Sequence, residues 1–170
     1  MLPDPIIRDA RPADLVALET LYPAAFPDED LLPLLVRLFA EREAVASRLA
    51  ETGSHAVGHL AVTWGQAGTT RVALLGPLAV APDLQRQGIG TALLRDAVSR
   101  YRGTPLLVLG DPAYYGRFGF LPETRIEPPY PLPQAWAGGW QSLANGTSAP
   151  TPRATLRLPE AWMDPALWAP

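Results

Sequence analysis

The chain opens on a short apolar pair, Ile6 and Ile7, set between charged residues, and then places Leu15, Leu18, Leu21 and Tyr22 three and four positions apart. The first pattern predicts a strand and the second a helix, with Pro12 near the first turn, where its missing N–H costs little. A second helix is predicted to start at Asp28, Glu29 and Asp30 and to carry Leu31, Leu34, Leu35 and Leu38, because carboxylates complement the dipole at a helix N-terminus. From Ala44 to Trp64 the pattern predicts two strands joined at Thr52-Gly53-Ser54, although Val45 and Leu49 also fit helical spacing. Val72 to Val80 is apolar on both faces, the pattern of a buried strand, with Gly76-Pro77 marking an irregularity in it.

A strong amphipathic helix follows. Ile89, Leu93, Ala97 and Tyr101 form its stripe, Leu94 and Val98 widen it, Arg100 and Arg102 suit its last turn and Gly103 its stop. Leu106 to Leu109 is then another short buried strand. Strand, helix, strand in this order predicts a right-handed parallel crossover. Beyond Leu121 the pattern weakens, since ten of the 20 prolines fall there. One strand is still predicted from Ala154 to Leu158, and Trp136, Trp140, Trp162 and Trp168 are placed to cover a sheet edge or to shape a pocket.

Composition narrows the chemistry. The 170 residues include no cysteine, and all 14 basic residues are arginine. The chain therefore has no disulfide, no thiolate nucleophile, no lysine Schiff base and no Gly-Lys-Ser/Thr phosphate loop. With His55 and His59 as its two histidines, it has no site made of several histidines. A net charge of −3 gives no electrostatic reason for nucleic-acid binding. The apolar stretch from Leu31 to Phe39, interrupted by Pro33 and Arg37, is too short for a membrane span. Asp4, Arg8, Asp9 and Arg11 break any signal-peptide core. The expectation is a folded cytoplasmic protein with no nucleic-acid or membrane partner; monomer and homodimer both stay open.

The most informative segment is Val80-Ala81-Pro82-Asp83-Leu84-Gln85-Arg86-Gln87-Gly88-Ile89-Gly90-Thr91, between a predicted strand and a helix. A helix N-terminus offers unpaired N–H groups and the positive dipole end, and glycines let an anion approach the backbone. Arg86 adds a charge. A ligand-free strand-to-helix turn would use the same two glycines. The dinucleotide fingerprint is excluded, because Thr91, Ala92 and Leu93 supply no third glycine.

Gln85-x-x-Gly88-x-Gly90, after Leu78-Ala79-Val80 and Pro82, resembles motif A of the GCN5-related N-acetyltransferase (GNAT) superfamily. Gly110-Asp111-Pro112-Ala113-Tyr114-Tyr115-Gly116-Arg117-Phe118-Gly119-Phe120 resembles its motif B. The Gly-Pro-Leu-Ala-Val strand and the spacing from Asp111 to Tyr115 are most similar to the YhbS-like subgroup. The resemblance runs from about Ile6 to Phe120. It implies an α/β (α+β) fold with a central mixed sheet flanked by helices, splayed between the strands ending at Val80 and Leu109, with acetyl-CoA as co-substrate in the gap and no metal. Residues 1–170 would form a single GNAT domain, with motif A at about 72–102, motif B at about 106–120 and a divergent proline-rich part at 121–170.

The same resemblance assigns cofactor-binding residues. Leu78, Ala79 and Val80 would offer strand backbone to the pantetheine arm. Gln85, Arg86, Gln87, Gly88, Ile89, Gly90 and Thr91 would surround the pyrophosphate. Tyr115 stands at the motif position whose hydroxyl, in many relatives, faces the coenzyme sulfur as general acid; its other reading is a packing tyrosine. Asp111 suits an N-cap and Pro112 an N1 position for the short helix that presents it. The implied reaction is direct acetyl transfer in a ternary complex to an amine of a small molecule or protein, with the Val80 N–H as oxyanion donor. A non-catalytic acyl-CoA sensor or an interaction domain on the same fold are the alternatives.

A general base is harder to find, because Arg71 to Val80 carries no glutamate. His59 reads first as a hydrogen-bonded core residue and second as that base, and His55 reads as exposed. Glu123 and Glu127 are candidates for the acceptor side or for plain solvation. Asp28, Glu29 and Asp30 are capping residues first and an attraction for a cationic acceptor second.

Overall fold

The computed structural model describes residues 3–169. Its residues fall into two compact units, one running up to Val62 and including Pro77–Arg100, the other made of Thr63–Gly76 and the chain from Tyr101 onward.

The first unit contains strand β1 (Ile6–Asp9), helices α1 (Leu15–Ala25) and α2 (Leu32–Ala40), and strand β2 (Val45–Thr52). It also holds the opening of β3 (His55–Ala67), the last residues of β4 (Thr70–Val80) and helix α3 (Ile89–Arg100). β1 lies antiparallel to β2, with Ile6 opposite Glu51 and Asp9 opposite Arg48. Leu18, Leu21 and Tyr22 of α1 pack with Leu35, Leu49 and Ala79 in a buried cluster, as the helical spacing of the sequence requires. Arg48 is buried on β2 and joins it to α3: its Nε donates to Asp96 at 2.8 Å and its Nη1 pairs with Asp9. Such a guanidinium is tolerated because carboxylates meet it on two sides.

Two predicted boundaries shift. α2 starts at Leu32 rather than at the acidic cluster, and its first turn holds no carboxylate. Pro33 supplies a pre-set φ for that turn, while the Asp30 carboxylate accepts from the Leu32 N–H at 3.3 Å just outside it. α3 ends at Arg100, so Tyr101 is buried beyond the helix and Gly103, at φ +87, makes the reversal.

The second unit contains the rest of β3 and β4, then β5 (Leu106–Leu109), α4 (Pro112–Tyr115), β6 (Leu121–Pro122), β7 (Ile126–Glu127), β8 (Trp140–Leu143) and β9 (Ala154–Arg157). β4 and β5 are parallel, with Ala73, Leu74 and Leu75 opposite Leu106, Leu107 and Val108. Gly76 follows directly at φ +134, a conformation that glycine adopts without strain. The irregularity read from Gly76-Pro77 therefore sits where the parallel ladder stops.

The proline-rich tail contains more sheet than its sequence suggests. β8 runs antiparallel to β5, with Leu109 opposite Trp140, and β6 pairs with β8. β9 pairs with the end of β3 and with β7. Three tail tryptophans are buried, and each indole N–H has an acceptor: Trp140 on Ile126 O at 2.7 Å, Trp162 on Thr63 Oγ1 at 3.0 Å and Trp168 on Trp162 O at 2.9 Å. They are packing residues. Among the described residues no helix is long and apolar enough to cross a membrane. The fold is thus mixed α/β: a largely antiparallel, many-stranded sheet with helices beside it.

Candidate functional site

In the first unit β4 ends at Val80, the chain makes a 3-10 turn at Pro82–Leu84, and α3 begins at Ile89. Arg86 has φ +61 and Gly88 φ +89. Left-handed residues alternating with ordinary ones turn successive N–H groups toward one side, the backbone form of an anion nest. Among the described residues the N–H groups from Arg86 to Thr91 have no main-chain acceptor, and Ala92 is the first that does, donating to Gly88 O at 2.9 Å. That is the donor set a helix start leaves open. Two side chains stabilise the loop itself: Gln85 Nε2 donates to Val80 O at 3.3 Å, and Gln87 Nε2 to Asp83 O at 3.1 Å.

A glycine with no local signal of its role stands against the start of this helix. At Gly58 on β3 an added Cβ would stand 2.8 Å from Ile89 Cγ2, 3.0 Å from Leu93 Cδ1 and 3.3 Å from Ala79 O. Only glycine lets the first turn of α3 approach the strand so closely.

In the second unit α4 starts as its sequence predicts: Asp111 accepts from the Ala113 N–H at 2.9 Å, with Pro112 in the first turn. Tyr115 closes this one-turn helix. Its ring lies against Gly110, where a Cβ would come within 2.3 Å of Tyr115 Cε2. Tyr114 at 5.1 Å and Phe120 at 5.8 Å meet the ring edge-on. The Gly110 N–H donates to Gly139 O at 3.0 Å, and the buried Gln141 amide donates to Gly110 O at 3.1 Å and Gly139 O at 3.2 Å. Gly139 must be small, since its Cβ would meet Gly110 O at 2.8 Å. Burial, with a smaller contribution from Tyr114, pushes the Tyr115 phenol well above its ordinary range, so it stays protonated at neutral pH.

The remaining candidates resolve differently. His59 is fully buried; its Nδ1 pairs with Tyr22 Oη at 2.7 Å and its Nε2 with Ser47 Oγ, while Phe39 stacks on the ring at 6.0 Å. Burial lowers its pKa to about 3. It is the core histidine of the first reading, not a base open to an acceptor. His55 is exposed. Glu123 accepts from the N–H groups of Arg125 and Ile126 at 2.6 and 2.9 Å, shaping a turn, and Glu127 is exposed. Asp28, Glu29 and Asp30, with Tyr22, Phe26 and Leu31, line a cavity of about 420 Å³ within the first unit. Among the described residues no cluster of three or more histidine, aspartate or glutamate side chains could hold a metal ion.

Comparison with known proteins agrees with the motifs. The acetyltransferase (GNAT) domain family matches residues 43–122. The uncharacterised N-acetyltransferase YjhQ of Escherichia coli K12 is 32% identical over 143 residues, covering 77% of this chain and 78% of that one. A GNAT family acetyltransferase of Brucella melitensis, solved in complex with acetyl-CoA, is 26% identical with a TM-score of 0.71, covering 92% of this chain and 97% of its own. YhbS of Escherichia coli, solved with CoA, is 20% identical with a TM-score of 0.78 over 96% and 94% of the two chains, a likeness of fold. With motif, architecture and relatives in agreement, the chain belongs to the GNAT family of acetyltransferases.

Proposed function

We propose that this protein transfers the acetyl group of acetyl-CoA directly to an amine of a small molecule or a protein. The observation that carries the proposal is the row of N–H groups from Arg86 to Thr91, without main-chain acceptors among the described residues and following β4 within motif A. In the proposal these donors, with the α3 dipole and Arg86, hold the coenzyme's pyrophosphate. The main chain of Leu78, Ala79 and Val80 pairs with the pantetheine amides. Gln85 and Gln87 act through the loop they brace, and Gly88, Ile89, Gly90 and Thr91 present their backbone.

The acceptor nitrogen, as the neutral amine, attacks the thioester carbon; a C–N bond forms and the C–S bond breaks. The Val80 N–H stabilises the developing oxyanion. Tyr115 donates to the departing sulfur, which leaves as the free thiol, and solvent restores the phenol proton. Burial keeps the Tyr115 phenol protonated, and loss of solvation raises the thiolate's basicity in the same way, so the donor and the departing sulfur shift together. The acceptor's proton leaves to bulk water, consistent with the enclosure of His59. The carboxylates of Asp28, Glu29 and Asp30 beside their cavity favour a cationic amine. Residues 1–170 act in this reading as one acetyltransferase domain, in the cytoplasm where acetyl-CoA is available, as a monomer or homodimer without nucleic acid or membrane.

A thiol-release assay over a broad panel of amines, with the product mass checked for one added acetyl group, tests the reaction. Coenzyme binding without transfer to any amine would favour a sensor instead.

A further inference from the structure

We propose that the far end of the β3–β4 hairpin carries a second small-molecule site, one for an anion with two acidic groups such as a dicarboxylate or a diphosphate. It is a hollow of about 310 Å³ in the second unit, lined by Trp64 and Gln66 of β3, Arg71 of β4, and Arg157, Leu158 and Pro159 at the end of β9. In a chain of net charge −3, this hollow holds two cations and no acid. Among the described residues neither arginine has a carboxylate within ion-pair distance.

Each arginine is positioned rather than loose. The Arg71 guanidinium carbon lies 3.7 Å from the centre of the Trp64 ring, and that ring is backed by Tyr101 at 5.0 Å. The cation–π contact takes one face of the guanidinium and fixes its plane, leaving the N–H edge for bidentate pairing with a carboxylate or phosphate. Arg157 stands directly opposite Gln66 in the β3–β9 register. β9 is held close there: at Gly65 a Cβ would meet Leu158 Cδ2 at 2.9 Å and Arg157 O at 3.0 Å. β4 and β9 both pair with β3, so the two arginines rise from strands about 10 Å apart, given a strand spacing of about 4.8 Å. In the proposal each arginine takes one acidic group of the anion, with Gln66 on the strand between them, and the ligand relieves the repulsion between two cations that have no carboxylate partner. Leu158 and Pro159 supply an apolar wall for the ligand's body.

The test follows the Trp64 indole N–H by nuclear magnetic resonance, with the resonance assigned through Trp64→Phe. Succinate, inorganic diphosphate and acetate are titrated at matched ionic strength into wild type, Arg157→Gln and the Arg71→Gln/Arg157→Gln pair. The proposal predicts a saturable shift with succinate or diphosphate, whichever of the two binds naming the acidic group, and at least about tenfold weaker binding of acetate. Arg157→Gln weakens it by about tenfold, and the double variant abolishes it. Absence of a saturable Trp64 shift with both succinate and diphosphate overturns the proposal. So does a shift undiminished in Arg157→Gln, which tests the site even if the double variant fails to fold.

Discussion

Tyr115 is held on several sides. Gly110 gives it a flat bed, Tyr114 and Phe120 meet its edges, and Asp111 caps the turn that carries it. Tyr115→Phe keeps all of these contacts and removes the hydroxyl alone. The expected outcome is a fall in kcat of about 10²-fold with little change in the KM for acetyl-CoA; equal turnover across pH would remove the residue from the mechanism. His59 makes a different prediction. Its folded pKa of about 3 lies below the ordinary 6.5, so the unfolded chain takes up the proton first. Stability is whole above pH 6.5 and falls by up to about 1.4 kcal/mol per pH unit as the pH drops from there toward 3. Melting temperatures between pH 7 and 5 should decline more steeply in wild type than in His59→Gln. The role of Asp111 was legible in sequence, because capping is local. The dependence of Tyr115 on Gly139 and Gln141 was not, since those residues, just before β8 and on it, lie about 30 positions from Gly110 and only folding brings them alongside.

The strand-to-helix element is the best-read part of the chain. Apolar periodicity placed β4 and α3, and the glycines between them placed the donor-rich turn, because each of these features depends on neighbours a few residues apart. The role of Gly58 was not legible, since a glycine inside an apolar strand carries no local signal of the helix that needs the space. Gly58→Ala should strain the contact with Ile89 and Ala79 and destabilise the protein by about 1–3 kcal/mol. Because Ile89 begins the helix, the same change should weaken coenzyme binding, as calorimetry with CoA would show; unchanged affinity would separate the strand contact from the cradle. In the tail β9 was legible as the strand from Ala154, and β8 was not. β8 is four residues long, between Gly138-Gly139 and Asn145-Gly146, and its hydrogen-bonding partner β5 lies more than thirty residues earlier. So short a strand is set by its partner rather than by its own propensity.

Two strands, β3 and β4, contribute residues to both compact units. If residues 1–170 work as a single domain, the chain should unfold in one calorimetric transition, and saturating CoA at about 100 times its dissociation constant should raise the midpoint by roughly 5–10 °C. Two resolved transitions would show units that unfold independently. At this scale the missing cysteine also constrains chemistry: the chain has no thiol to carry an acyl group, which leaves direct transfer as the proposed route. The most direct test is transfer of isotope-labelled acetyl from acetyl-CoA to amines, measured for wild type and for Gly88→Glu, which places a carboxylate in the donor row. The account predicts a labelled amide and equimolar free CoA with wild type and neither with the folded variant. Label reaching no amine, or reaching it equally with Gly88→Glu, would contradict it.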